Sequence, residues 1–215
     1  MDAVGALREL WISSSGRLAK RMHGLTDEEF FWEPAQPAWS VRPDPTAPSG
    51  WQIDYPFPPP VPAPVTTIAW RLVHLANGNW IRWEHAYGPG ERMFPDLPVP
   101  GTALDAIRYW ADSRQPIEEW LETAGPLDLN EVRPNPVGDP LPAGRTLSIL
   151  LEEQIHHGAE IALLRDLYRH RLPARGPAPS VDAGPRAGPS ASRWPSRRAA
   201  RRSPGGRRVP SPPAR

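Results

Sequence analysis

Hydrophobic residues recur at spacings of three, four and seven in four long segments of the chain, which is the pattern of amphipathic helices. In the first segment, from about Asp2 to His23, the positions are Val4, Leu7, Trp11, Leu18 and Met22. The other segments run from about Thr66 to Tyr87, Thr102 to Ala124 and Thr146 to Arg171, each opened by a threonine suited to capping. Each segment is about 20 residues, or about 30 Å of helix. The pattern predicts an all-α four-helix bundle.

The connection between the first two helices is rich in proline. Residues 34–64 contain 11 prolines and three aromatic residues, Trp39, Trp51 and Tyr55. This composition predicts a stiff, irregular segment over one end of the bundle. Its aromatic side chains are expected either to pack on the rim of the core or to cover a pocket. Before it, the Thr26-x-x-Glu29 sequence predicts a short helix with a capping box.

The connection between the second and third helices bears on their direction. Residues 88–101 can extend about 45 Å at about 3.3 Å per residue, which is enough to return along a helix of about 30 Å. The second and third helices can therefore run parallel. The sequence permits an up-down-down-up bundle and does not require it.

The composition of the chain changes at about Pro173. From there it consists mainly of Pro, Gly, Ser, Ala and Arg, which predicts a bundle over residues 1–172 and a disordered tail over residues 173–215. Ten of the 25 basic residues but one of the 24 acidic residues lie from Arg175 onward, so this part carries +9 and the remainder −8. Such a tail would make weak, non-specific contacts with anions or nucleic acid. A solvated extension without a partner is the alternative.

The 215-residue chain contains no cysteine. Disulfides, thiolate zinc sites and a cysteine nucleophile are therefore excluded, and any metal must be bound by histidine and carboxylate. The first residues do not show the basic segment followed by an apolar segment that is typical of a secretion signal. The apolar runs of the sequence are far shorter than the ~20 residues that cross a bilayer. We expect a soluble, cytoplasmic protein without membrane contact.

Candidate metal ligands occur on two of the predicted helices. Glu153 and His157 lie four residues apart, so they share one face of the fourth helix, and His157 lies within its apolar arc. His74 on the second helix is the best-placed third ligand. Two histidines and a carboxylate suit Zn²⁺ or Ni²⁺ and leave a coordination position open. A Glu-x-x-x-His pair also occurs commonly without metal, so half-buried structural histidines are the alternative.

The remaining histidines fit a shared site less well. His156 lies outside the apolar arc of the fourth helix, and His85 lies about 16 Å along the second helix from His74. His23 and His170 are at helix ends, where they are expected to face solvent or to interact with a helix dipole.

The position of Arg165 and the high tryptophan content lead to two further predictions. Arg165 lies near the middle of the apolar arc of the fourth helix, so it is expected to form a buried salt bridge with an acid or to bond a carbonyl. Binding of an anionic substrate is the alternative role for this residue. The ten tryptophans favour a pocket lined by aromatic residues near one end of the helices.

Three stretches resemble the DinB-like superfamily. They are LTDEEFFWEPAQPAWSV at 25–41, TIAWRLVHLANGNWIRWEH at 67–85 and LLEEQIHHGAEIALLRDLY at 150–168. The resemblance covers roughly residues 1–171. It implies an up-down-down-up four-helix bundle with a divalent metal bound by His74 and by the pair Glu153 and His157. Many members have histidine at the Glu153 position, but a His, Glu, His set resembles that of mycothiol-dependent maleylpyruvate isomerase.

The resemblance also implies a function. It points to a metal-dependent transferase, isomerase or hydrolase that acts with a low-molecular-weight thiol such as mycothiol or bacillithiol on a small-molecule substrate. The resemblance is also compatible with a homodimer formed through apolar helix faces. Two other functions remain open, a stress-associated metal-binding bundle without turnover and an interaction module whose basic tail contacts nucleic acid. The sequence identifies neither the substrate nor a general base.

Overall fold

The computed structural model describes residues 2–56 and 58–171, and the predicted tail at 173–215 lies outside the described residues. In chain order the helices are α1 (Ala3–Met22), α2 (Asp27–Phe30), α3 (Ile68–Tyr87), α4 (Ala103–Thr123) and α5 (Ala143–Arg169). The prediction of a mainly helical protein with four long helices is confirmed. No helix in this part of the chain is long and apolar enough to span a membrane.

Within residues 2–56 and 58–171, six strands of two or three residues form three separate pairs. β1 (Ala38–Trp39) and β4 (Val65–Thr66) pair in parallel at the two ends of the proline-rich connection. β2 (Val41–Pro43) and β3 (Trp51–Ile53) form an antiparallel pair inside it. β5 (Val132–Arg133) and β6 (Leu141–Pro142) pair antiparallel just before α5. These pairs hold the connections in place and do not form a separate layer.

Most of the predicted helix starts are correct to within a residue. Thr26 and Glu29 form the predicted capping box of α2, and Thr102 caps α4 by accepting a hydrogen bond from the Asp105 backbone N–H at 3.1 Å. At α3 the cap is Thr67, whose hydroxyl accepts from the Trp70 N–H at 3.2 Å, rather than Thr66.

The predicted start of the fourth helix at Thr146 is wrong. α5 begins three residues earlier, directly after Pro142, and Thr146 is buried within its first turns. Pro142 has a φ of −58°, the value that the proline ring fixes and that suits entry into a helix. Because β6 ends at Pro142, the helix starts where the strand pair stops.

Apolar faces of the long helices pack against one another. α1 packs on α5 and α4, and α3 packs on α4 and α5. One cluster of buried side chains includes Leu72, Trp110 and Ile161, and a second includes Trp11, Ile117 and Leu150. Polar residues on the same helices therefore lie at the surface or form hydrogen bonds between helices.

Side-chain hydrogen bonds between neighbouring helices pair residues whose numbers change in a consistent direction along each pair of helices. Between α1 and α5 the residue numbers rise together, in the pairs Ser14 with Gln154 and Arg21 with the Ala162 carbonyl. They also rise together between α3 and α4, in the pairs Asn77 with Tyr109 and Asn79 with Ser113. Between α1 and α4 they run in opposite directions, in the pairs Arg8 with the Leu121 carbonyl and Trp11 with Glu118.

Arg165 is buried and forms the salt bridge that the sequence predicts. Its guanidinium lies 2.7 Å from Glu29 on α2, and it also donates to the His23 and Gly24 carbonyls at 3.1 Å. Arg169, one turn later on α5, bonds the same Glu29 carboxylate at 3.1 Å. This contact ties the end of α5 to the segment that follows α1.

Candidate metal centre

The structure brings together the three residues that the sequence nominates as metal ligands. His74 on α3 faces Glu153 and His157 on α5, and one potential donor atom from each lies within 4.8 Å of the others. The Glu153 Oε2 atom is 3.3 Å from His74 Nε2 and 3.1 Å from His157 Nε2. We refer to these three residues as the His/Glu triad.

The surroundings of the triad bias its protonation states. Hydrogen bonds from His157 and then His74 hold the pKa of the Glu153 carboxyl well below its ordinary value. Burial lowers the pKa of His157, although its bond to Glu153 acts in the opposite direction. At neutral pH these shifts favour an ionised Glu153 carboxylate and a neutral His157 imidazole, which are the forms that bind a metal ion.

The other side of the His157 ring contacts charged residues. Its Nδ1 atom lies 2.6 Å from Glu160 Oε2 and 2.9 Å from the Arg71 guanidinium, and Arg71 and Glu160 form an ion pair. Burial lowers the pKa of Arg71 to about 10, so it remains charged at neutral pH. When Nδ1–H donates to Glu160, the Nε2 lone pair is directed at the triad.

Glu160 and Arg71 are not among the residues predicted from the sequence. The signals were present, because Glu160 follows His157 by three residues and Arg71 precedes His74 by three. Each therefore lies on the same helical face as a candidate ligand.

A cavity of about 800 Å³ opens beside His74. It is lined by α3, by the proline-rich connection and by the segment before α4. Tyr55 from the connection stacks on the rings of Trp70 and His74, with centroid distances of 5.9 and 6.1 Å. Trp51 also lines the cavity. Of the two alternatives for the aromatic residues of the connection, Tyr55 fits covering a pocket, whereas Trp51 fits both, because it lines the cavity and also packs against the core.

The model of the DinB superfamily matches residues 12–161, which include α3 and most of α5. This chain belongs to the DinB superfamily. The resemblance seen in the sequence is thereby confirmed. Among curated proteins, none matches the chain in sequence.

A second group of possible ligands in this DinB protein overlaps with the first. Donor atoms of His156, His157 and Glu160 also lie within 4.8 Å of one another. The His156 side chain is 55% exposed, in keeping with its position outside the apolar arc. His157 belongs to both groups, so replacing it cannot show which group binds a metal. Replacing Glu153 or His74 affects the first group alone, and replacing His156 or Glu160 affects the second alone.

The remaining histidines of the DinB protein lie away from the triad. His85 Nε2 is 2.9 Å from the Arg92 backbone carbonyl, so it is engaged in the turn that follows α3. His23 and His170 occupy the C-cap positions of α1 and α5, as their places at helix ends suggest.

Proposed function

We propose that this protein is a divalent-metal-dependent enzyme of the kind that transfers or isomerises with a low-molecular-weight thiol. Zinc or nickel is held by His74, Glu153 and His157. The observation that carries the proposal is the meeting of three donors from two helices beside a cavity large enough for a small molecule.

The chemistry of the donor set fits such a metal. Two imidazole nitrogens and one carboxylate oxygen are ligands of zinc and nickel, and three protein ligands leave room for a small molecule. A metal bound there would act as a Lewis acid and lower the pKa of a coordinated thiol or water. Because the chain has no cysteine, the thiol comes from a small molecule such as mycothiol or bacillithiol.

The residues of the chain itself prepare and hold the ligands. The ionised Glu153 carboxylate offsets part of the charge of a divalent cation. Stacking on Trp70, at a centroid distance of 4.7 Å, holds the His74 ring, while Glu160 holds the ring of His157. The ligands are thereby ordered before a metal arrives, which reduces the entropy lost on binding.

We also propose that the four long helices form an up-down-down-up bundle. The rising pairs of contacts support parallel directions for α1 with α5 and for α3 with α4. Opposite trends support antiparallel directions for α1 with α4 and for α3 with α5, where Arg71 contacts Glu160 and His74 contacts Glu153. In this arrangement the triad joins two antiparallel helices.

Metal content tests the ligand set. The purified protein is expected to hold about one equivalent of zinc or nickel per chain by elemental analysis, and the variant Glu153→Ala/His157→Ala is expected to hold none. The single variants Glu153→Ala and His156→Ala separate the two overlapping groups, since loss of metal is expected for the first alone. His85→Ala is a matched control outside both. Wild type that remains metal-free after incubation with Zn²⁺ or Ni²⁺ contradicts the proposal.

Turnover tests the enzymatic part. The metal-loaded protein is incubated with mycothiol or bacillithiol and the electrophile monochlorobimane, and thiol conjugation is followed by fluorescence. Conjugation that is lost in His74→Ala and kept in His85→Ala supports the proposal. Metal binding without thiol-dependent turnover of this or other electrophiles favours a binding protein instead.

A further inference from the structure

The cavity beside His74 has aromatic and acidic residues in its lining. Trp51, Tyr55 and Phe94 are aromatic, and Asp44 and Asp96 are acidic, with carboxylates that also accept hydrogen bonds from Thr46 and from the Met93 backbone N–H. Among the described residues that line this cavity, none is lysine or arginine. An anionic ligand would therefore meet acidic side chains without a basic partner from the lining.

Arginines on the adjoining segments are already paired with carboxylates. Arg42 of β2 lies 2.8 Å from Asp54 and 3.1 Å from Glu33. Arg92, after α3, lies 2.5 Å from Glu84, and Arg71 pairs with Glu160 on the far side of His157. Rotating one of these arginines into the cavity would break an existing ion pair, so they are poor substitutes for a basic residue in the lining.

Two of the aromatic residues in the lining stack on neighbouring rings. Trp51 stacks on Phe31 with an interplanar angle of 16°, and its indole passes over Gly101 so closely that a Cβ there would lie 2.0 Å from Cε2. Tyr55 stacks on His74 with an interplanar angle of 15°. Aromatic rings at both the connection and the triad offer faces on which a flat molecule can stack.

From the lining we infer that the cavity takes a flat aromatic substrate that carries no negative charge. This inference rests on the proposed function, because it names the substrate class for the site that ends at His74. Stacking on the aromatic residues supplies affinity, and the carboxyl groups of Asp44 and Asp96 disfavour anions while accepting neutral or cationic groups.

Three probes of the same shape and different charge test this inference. They are 2-naphthylmethanol, protonated 2-naphthylmethylamine and 2-naphthoate, with dissociation constants measured by isothermal titration calorimetry at pH 7. In protein freed of metal by chelation, 2-naphthoate is expected to bind at least tenfold more weakly than the alcohol and the amine. Binding of 2-naphthoate as tight as that of the alcohol, or failure of all three probes to bind, overturns the inference.

Substitutions locate the binding. Phe94→Ala, in the lining, is expected to weaken binding of the alcohol at least threefold, whereas Leu127→Ala, an exposed apolar residue outside the lining, leaves it unchanged. Gln52→Arg places a basic side chain in the lining and is expected to remove most of the discrimination against 2-naphthoate. Equal effects of Phe94→Ala and Leu127→Ala, or unchanged discrimination in Gln52→Arg, count against the inference.

The measurements separate this inference from the proposed function. Probe binding in metal-free protein does not depend on metal or on turnover, and repeating it with zinc shows how far a bound cation alters the preference. A protein that binds no metal but retains the charge preference contradicts the proposed function alone. A metal-binding enzyme that prefers 2-naphthoate in the metal-free state contradicts the substrate class alone.

Discussion

His157 lies between two carboxylates, one on each side of its ring. Glu153 faces Nε2 at 3.1 Å and Glu160 faces Nδ1 at 2.6 Å. A metal on the Glu153 side requires a free lone pair on Nε2, and hence a proton on Nδ1. Glu160 accepts that proton in a hydrogen bond, and Arg71 holds Glu160 in position. We therefore expect Glu160 to act as a positioning residue for a metal that it does not bind.

Replacing Glu160 with glutamine should weaken zinc binding by about tenfold or more, since loss of such a partner typically costs 10–100-fold in metal affinity. The amide is a poorer acceptor for Nδ1–H, and it leaves the Arg71 charge beside the ring without its carboxylate. Zinc affinity is measured by competition with a chelating indicator. Glu152→Gln, an exposed position on the same helix with the same change of charge, is the control. Equal weakening in both variants would assign the effect to net charge alone.

The partner of Arg165 shows what can be predicted for single residues. Its place in an apolar arc indicated a buried ion pair, because an unpaired guanidinium there is costly. The sequence could not identify Glu29, which lies 136 residues away and reaches Arg165 only after α2 has folded against α5. In the same way, helical spacing showed that Glu153 and His157 share a face, while the approach of His74 depends on how α3 packs.

Glu29→Gln should destabilise the protein by about 3–5 kcal/mol, the usual cost of removing one partner from a buried ion pair. The Glu29 side chain is 4% exposed, and the variant leaves both Arg165 and Arg169 without its carboxylate. The free energy of unfolding is measured by urea denaturation at pH 7. Glu119→Gln, at an exposed position on α4, should change it by less than about 0.5 kcal/mol.

The difference in unfolding free energy between wild type and Glu29→Gln should depend on pH in a direction that the pKa of Glu29 determines. Burial tends to raise the pKa of Glu29, but the bonds and charge of Arg165, together with the bonds from Thr26 and Arg169, outweigh it and the pKa is lowered. A lowered pKa stabilises the fold above the ordinary carboxyl value of about 4.3 and loses that effect as the pH falls through the folded-state pKa. The difference in stability between wild type and Glu29→Gln should therefore be constant near neutrality and shrink below about pH 4.

At the level of elements, the proline-rich connection is held to the helices by close contacts. The Trp51 ring of β3 lies against Gly101, just before α4. Only glycine leaves room there, since a Cβ would lie 2.0 Å from the ring. The composition of the connection indicated that it is irregular, but not that one of its tryptophans packs on a glycine 50 residues later. Such a contact depends on the final packing of two segments and has no local signal in either.

Gly101→Ala should therefore displace Trp51 and destabilise the fold by about 1–3 kcal/mol, as overpacking typically does. Gly16→Ala is the contrasting control, because Gly16 lies inside α1 with open space where a Cβ would lie, and alanine is the better helix former by about 1 kcal/mol. Relative to wild type, the free energy of unfolding measured in urea is expected to fall in Gly101→Ala and to rise in Gly16→Ala. A neutral Gly101→Ala would mean that the Trp51 ring moves aside without cost.

In the whole molecule, the His/Glu triad is a contact between α3 and α5. His74 is its one residue from α3, whereas Glu153 and His157 both come from α5. A metal bound by all three would link two helices that are separated in the chain by α4. Because a ligand that binds only the folded state stabilises it, zinc at about 100 times its dissociation constant should add about 2.7 kcal/mol to the free energy of unfolding.

For a chain of this size we therefore expect zinc to raise the midpoint of thermal unfolding by about 5–10 °C, measured by circular dichroism with and without the metal. His74→Ala keeps the pair on α5 but removes the link to α3, so the rise should fall to a small fraction of the wild-type value. His85→Ala, on the same helix and bonded to the Arg92 carbonyl, should keep the full rise. A rise of equal size in His74→Ala would show that the zinc responsible binds on α5 alone, where Glu153, His156, His157 and Glu160 are the ligands available.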